Sequence, residues 1–429
     1  MNKKIFIGMV VLFSFCFNST RAEADSLDTV TNTGEEIIFP ENSLSEVDLP
    51  FQEGTNDLSN ATTVIVNDNL QPALPDKNVP EEEHIIGSDN RVRVTSTTKF
   101  PNSAVVHIQA TFSNGKTYIG SGNMISSTSV LTAGHVVYNK DMGWAVNVQV
   151  FPGVNGSKAP YGTTSGKKLL SVKGWTEENS SEYDVGLIRL DKPLGYNTGW
   201  FGLSSVVSVG MGITTTGYPG DKAAQTMWTN SGVVQSFTEN NVYYELDTVG
   251  GQSGSPVYNA KNQVIATHAY GANTKNFGTR MNNVIYNWIQ SDINSSIGVY
   301  RVYNPNSGAH FFTIKDAEVL DLEKLGWRYE CTAWFSPSIG DDVHRLYNPS
   351  NGGHFFTSNT GEKDNLVKAG WRYEGVSWKS NRSKTAPVYR VYNPNGRSGY
   401  QHHYTYDVNE KNNLVKSGWK DEGIAWYGL

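Results

Sequence analysis

From His84 to about Ile293 the chain alternates short apolar runs with polar breaks. Val105-Val106-His107-Ile108, Val146-Asn147-Val148-Gln149-Val150, Val185 to Leu190 and Val264-Ile265-Ala266 are rich in β-branched residues and separated by Gly, Asn, Ser and Pro turns, which predicts strands. Only Asn283 to Ile293 carries a helical period, with Val284, Trp288 and Ile289 on one face. This part is expected to be all-β, a pair of barrels or a sandwich with a closing helix.

A second pattern starts at Tyr300. Tyr303-Asn304-Pro305, Tyr347-Asn348-Pro349 and Tyr392-Asn393-Pro394 open three copies spaced by 44 and 45 residues. Each copy continues with His310-Phe311-Phe312, His354-Phe355-Phe356 or His403-Tyr404, then a Gly-Trp (Trp327, Trp371, Trp419) and a further Trp (Trp334, Trp378, Trp426). Such a period is one supersecondary unit used three times, and three β-rich units predict a β-trefoil-like domain, with an open stack as the alternative, whose repeated aromatics are mostly core.

The first 83 residues follow neither pattern. Lys3-Lys4, the apolar run Ile5 to Phe17 and Ala22-Glu23-Ala24 have the order of a secretory signal cleaved after Ala24, and the run is shorter than the roughly 20 residues a membrane span needs. Residues 25–83 hold fourteen Asp and Glu against the single base Lys77, a net charge of −13, and read as a detachable acidic propeptide with little to bury. The whole chain of 429 residues has formal charge −6, so residues 84–429 carry +5, and the leader can mask them electrostatically. That balance gives no support for a nucleic-acid partner. The organisation expected is signal 1–24, propeptide 25–83, a catalytic domain 84–297 and a three-repeat binding module 298–429, in a secreted protein without a membrane anchor. Cys16 leaves with the signal, so Cys331 has no partner for an internal disulfide. It stands where the other copies have Gly375 and Gly423 and is read as an incidental thiol.

Within residues 84–297 three residues carry a chemistry. Serine is a weak nucleophile that needs an imidazole base, a carboxylate to orient the base, and amides for the developing oxyanion. Ser253 lies in Gly250-Gly251-Gln252-Ser253-Gly254-Ser255-Pro256, where a tight turn can point the Gly251 and Ser253 amides at one oxygen. His135 follows Leu131-Thr132-Ala133-Gly134, and Asp184 opens the strand Val185 to Leu190. The order His, Asp, Ser, with gaps of 49 and 69 residues, is that of the chymotrypsin fold and not of subtilisins or α/β-hydrolases.

On these motifs, with Ile86-Gly87-Ser88-Asp89-Asn90-Arg91 and Gly217-Tyr218-Pro219-Gly220-Asp221-Lys222, residues 84 to about 293 resemble the bacterial glutamyl endopeptidases, secreted trypsin-like serine proteases that cut after Glu and less well after Asp. The resemblance implies two packed six-stranded β-barrels, with His135 as general base, Asp184 as its orienter and Ser253 as nucleophile. It also implies that Thr248 and His268 bind the Glu side chain of a protein substrate, and that the mature chain starts at His84, directly after Glu81-Glu82-Glu83, where a Glu-specific enzyme can remove its own leader. Gln252 stands where digestive trypsins have an Asp, so their internal ion pair with the new N-terminus is not available. No cofactor and no metal ligand is assigned. The repeats resemble an uncharacterised Tyr-Asn-Pro and Gly-Trp family of secreted bacterial hydrolases, for which a glycan or cell-wall ligand is expected. The alternatives are a serine protease of other specificity and an adhesion protein with an idle protease-like domain.

Overall fold

In the computed structural model, which describes residues 26–34, 36–37, 48–73, 84–272, 274–396 and 401–429, the alternating runs close into two barrels. The secretory signal and the Glu81–Glu83 junction lie outside the described residues. The first barrel consists of β1 (Val105–Thr111), β2 (Thr117–Met124), β3 (Ser129–Thr132), β4 (Asn147–Pro152), β5 (Thr164–Val172) and β6 (Gly186–Leu190). Its order is β4-β1-β2-β3-β6-β5, closed by the pairing of β5 with β4. The second barrel, β7 (Gly212–Gly217), β8 (Trp228–Phe237), β9 (Asn241–Tyr244), β10 (Pro256–Asn259), β11 (Gln263–Ala272) and β12 (Lys275–Arg280), repeats that order as β10-β7-β8-β9-β12-β11 and closes in the same way. This is the chymotrypsin-like double barrel. The short strands, such as β3 and β6, are buried along their whole length. The helix α1 (Asn283–Ser295) forms as the period predicts, although the buried face is Ile285, Trp288 and Ile289, with Val284 only half-buried.

The acidic leader is not a bare spacer in its described part. Thr29–Thr31 adds a strand to β5, Asp48–Leu49 pairs with Gly202–Ser204, and Gln71–Pro72 runs parallel to β2 at Tyr118 and Ile119. The expectation of little burial rested on side chains, whereas a strand docks on a sheet edge through its backbone and needs few apolar residues. Leu27 and Ala73 are nevertheless buried. Opposite charges meet here as well: Lys173 Nζ lies 3.3 Å from both Asp28 and Glu36.

The chain divides into two compact units, residues 1–190 with 194–289 and residues 191–193 with 290–429. In the second, each repeat is a three-stranded antiparallel sheet with its first strand in the middle. The central strands are Ser296–Tyr303, Asp341–Tyr347 and Ala386–Tyr392, and helices Asp316–Lys324, Thr360–Lys368 and Val408–Lys416 precede the third strands. This corrects the trefoil expectation in its unit, which is three strands and a helix, not a set of β-hairpins. The threefold repetition itself closes. Phe312, Phe356 and Tyr404 contact one another edge-on at 6.2, 5.7 and 5.8 Å, and Trp334, Trp378 and Trp426 meet at 5.7, 5.8 and 5.6 Å, edge-on in two pairs and tilted between Trp334 and Trp426. Each Trp also stacks on its own repeat's ring, so two aromatic triangles form one core. The helices escape the sequence pattern because they are nine residues long and mostly polar. Their signals were caps: Asn359 accepts from the Glu362 amide at 3.0 Å and Asp407 from the Asn409 amide at 2.7 Å.

Candidate active site

His135 sits on the one-turn helix Gly134–Val137 immediately after β3, and Asp184 is the residue that leads into β6. The sheet pairs β3 with β6, Thr132 opposite Gly186, so two residues 49 apart in the chain are brought side by side. Asp184 uses both oxygens on the same partner: Oδ1 accepts the His135 backbone N–H at 2.8 Å, and Oδ2 lies 2.7 Å from His135 Nδ1. Both side chains are fully buried. Position 134 has to be glycine, because a Cβ there would lie 2.9 Å from Asp184 Oδ1 and 2.7 Å from Trp175. Trp175 and Tyr270 flank the imidazole at 6.3 and 6.0 Å between ring centres. The Asp184 backbone carbonyl accepts from Thr279 Oγ1 of β12 at 3.0 Å, which ties the backbone at Asp184 to the second barrel.

Ser253 comes from the loop between β9 and β10. The loop is held by short-range bonds, Gln252 N to Val249 O at 3.1 Å and Ser255 N to Gln252 O at 2.8 Å, and by Gly254 N to His268 O at 2.7 Å. The first barrel holds it as well: Ser121 donates its backbone N–H to Ser253 O at 2.8 Å and its hydroxyl to Gly251 O at 2.8 Å. Gly251 has φ +99°, and a Cβ there would lie 2.8 Å from Tyr218 O, so both its conformation and its space exclude a side chain.

Thr248 and His268 are also brought to this loop, both buried. Thr248 Oγ1 is buried without a hydrogen-bond partner, an arrangement that costs free energy unless something else supplies the acceptor. His268 Nδ1 lies 2.7 Å from the Tyr244 hydroxyl. Burial, and then the nearness of His135, lower the His268 pKa from 6.5 to about 3, so its imidazole is neutral at physiological pH.

Several contributors were not singled out from sequence. Tyr244 is one. Asp247 is another: it is buried, its Oδ1 accepts the Ile86 amide at 2.8 Å, and its Oδ2 accepts the Asn90 amide at 2.7 Å. Arg91 reaches Asp221 and also donates to Gln252 Oε1 at 3.2 Å. The stretch after His84 is therefore tied to the nucleophile loop although Gln252 replaces an Asp. Arg91 and Asp221 both stand inside the motifs quoted above, which was the available signal. Asn276 bonds the backbone of His84 on both sides, at 3.2 and 2.7 Å. Beside His135 lies a cleft of about 360 Å³, with Gln71, Pro72 and Ala73 of the leader on its wall. Among the described residues no group of three or more His, Cys, Asp or Glu side chains is placed to hold a metal ion, and no helix is long and apolar enough to cross a membrane.

Comparison with known proteins agrees with this architecture. The trypsin-like peptidase domain family matches residues 120–266, and a domain of unknown function, DUF5648, matches residues 298–429. A protein of Bacillus subtilis named an extracellular metalloprotease is 38% identical over 284 residues, 63% of this chain and 88% of that protein. A glutamyl endopeptidase of Bacillus licheniformis is 39% identical over 227 residues, 48% of this chain and 69% of that protein. A solved Glu endopeptidase in complex with MPD is 29% identical, with TM-score 0.46, and is matched over 48% of this chain and 98% of its own.

Proposed function

We propose that this chain, which belongs to the bacterial glutamyl endopeptidases and is a serine endopeptidase, is secreted as a precursor and cuts after Glu, less readily after Asp, with Ser253 as nucleophile, His135 as base and Asp184 as its orienter. The observation that carries the roles is the double grip of Asp184 on His135. With Nδ1–H held by the carboxylate, Nε2 is the ring's acceptor. It takes the Ser253 proton as Oγ attacks the scissile carbonyl carbon, and the imidazolium then protonates the leaving amine. The Gly251 and Ser253 amides hold the oxyanion. Water resolves the acyl-enzyme by the same path. Digestion of a peptide library by the mature protein tests the reading: cleavage should concentrate after Glu, and cleavage without preference for an acidic residue would defeat it.

The precursor state has a physical basis in the leader. Ala73 N donates to Ile119 O of β2 at 2.8 Å, and a Cβ added at Gly250 would lie 3.0 Å from Pro72 Cγ, so Pro72 stands directly over the glycines of the nucleophile loop. The contacts from Asp247 and Arg91 to the stretch after His84 are made in the uncleaved chain, so latency here is steric and does not await a new ion pair. The precursor with Ser253 intact should hydrolyse a Glu peptide at least about tenfold more slowly than the protein starting at His84, and the separate segment 25–83 should inhibit the latter. Equal activity of precursor and mature protein in a fluorogenic assay would remove the leader from the mechanism.

The repeats are proposed to bind a surface or glycan and to be dispensable for hydrolysis, because they carry their own core. A chain ending at Ile297 should keep its rate on short peptides and lose cosedimentation with cell walls. Loss of small-peptide cleavage by a folded truncated chain would show that the repeats help to build the site.

A further inference from the structure

The two tryptophans of each repeat have different environments. Trp334, Trp378 and Trp426 are buried in the core, whereas Trp327, Trp371 and Trp419 remain half-exposed. Trp327 lines a cleft of about 290 Å³ between the first and second repeats, together with Phe311, Arg345, His354 and Glu374. Arg345 crosses the boundary to Glu318, at 3.1 Å from each oxygen, and its Nε meets Glu374 at 3.0 Å while the guanidinium lies 5.6 Å over the Phe311 ring. His354 packs edge-on against Phe311 at 4.8 Å and lies 3.4 Å from Glu374.

The boundary between the second and third repeats rebuilds the same set. Arg390 bonds Glu362 at 3.1 and 3.0 Å, meets Glu422 at 2.8 Å and lies 5.1 Å over Phe355. His402 sits 4.8 Å from Phe355 and 3.4 Å from Glu422, with Trp371 at 6.2 Å from the same ring. The third boundary departs: His403 takes the Phe position and bonds Glu410 at 3.3 Å. The Arg–Glu pairs stitch one repeat to the next, which accounts for the ions. It does not account for the open cleft beside Trp327, or for a second half-exposed indole, Trp371, in the same set of residues.

We propose that the cleft at the first boundary, and the matching set of residues at the second, bind an uncharged saccharide chain, a sugar ring lying against Trp327 or Trp371 and its hydroxyls meeting the neighbouring His and Glu. This rests on the reading of the repeats as a glycan-binding module and assigns its site. Volume agrees, since ligand pockets start at about 300 Å³. Charge selects the class. Arg345 already spends its Nη1 and Nε on carboxylates, so an acidic polymer would face one engaged cation and two anions, Glu318 and Glu374. A cationic ligand would compete with Arg345 for those anions. Burial lowers the pKa of His354 and of His402 below the ordinary value, which leaves neutral imidazoles able to exchange hydrogen bonds with hydroxyls. Two like sites on one module suit a repeating polymer, where the second contact gains from effective concentration.

The test is titration of the mature protein, residues 84–429, with chitohexaose and cellohexaose, and with polygalacturonate as the acidic comparison. At least one neutral oligomer should bind at two sites. Trp327→Ala and Trp371→Ala should each remove one site, and the double variant should lose binding. Because Trp327 also touches the core, far-ultraviolet circular dichroism and the thermal unfolding transition should stay close to the wild type, and Trp327→Phe should restore binding. No binding of either neutral oligomer, stronger binding of polygalacturonate, or full binding by the double variant would overturn the proposal. Persistence of cell-wall cosedimentation in the double variant would sink this site while leaving the broader module reading standing, and Glu-peptide hydrolysis by the same samples reports separately on the protease.

Discussion

Ser253→Ala should lower kcat/KM on a Glu-containing peptide by at least about 10⁴-fold while the protein stays folded, since the nucleophile and its base act as one unit. His135→Ala should cost about as much, and the double variant little more than either alone, because a proton acceptor has no function without the hydroxyl it serves. Asp184→Asn should cost about 10⁴-fold in kcat for a reason visible in the contacts. Asp184 offers two acceptor oxygens, one for the His135 amide and one for Nδ1, and an asparagine has only one. Its NH₂ must face one of the two, and facing Nδ1 it favours the tautomer with the proton on Nε2, where it cannot accept from serine. The check is single-turnover kinetics beside thermal unfolding. A folded Ser253→Ala protein with near-normal turnover would remove the proposed nucleophile.

The barrels were legible because burial writes itself into composition: the buried strand Val185 to Leu190 is apolar apart from Arg189, which donates to Ser129 Oγ, and the glycines at 134 and 251 mark places where a side chain would strike Asp184 or Tyr218. The docking of the leader was not legible, since the bonds of Thr29–Thr31 and Gln71–Pro72 are made by backbone groups that every sequence possesses. The helices of the repeats were hidden for a related reason. They cover the sheets with mostly polar residues, and the second and third bury no side chain. The tryptophan spacing was plain in the chain, but only the fold separates three indoles that face one another from three left half-exposed. Arg91 with Asp221, and Tyr244 with His268, are pairs joined across 130 and 24 residues, and no local pattern marks such partners.

The ratio of kcat/KM for matched Glu and Gln peptides should be about 10² to 10³, because a pocket built of donors rejects a side chain that brings a donor of its own. His268 Nδ1 lies 2.7 Å from the Tyr244 hydroxyl, and if that hydroxyl donates, the ring proton of the neutral imidazole resides on Nε2. Thr248 contributes a hydroxyl that is buried without a partner. Two donors match the two oxygens of a carboxylate, whereas a carboxamide offers one oxygen and turns an NH₂ toward the other donor. Asp carries the same carboxylate one methylene short and should lose about tenfold. Tyr244→Phe frees the tautomer and should cut the Glu to Gln ratio about tenfold with less effect on kcat for Glu, and His268→Ala should reduce it further. The pH dependence discriminates the cause. Burial lowers the His268 pKa to about 3, so the ratio should be flat between pH 5 and 8 and fall toward one as the substrate carboxylate protonates, near pH 4.3. A ratio that instead titrates with a midpoint near 6.5 would mean that His268 recognises Glu as a cation, and equal rates on the two peptides would reject the pocket altogether.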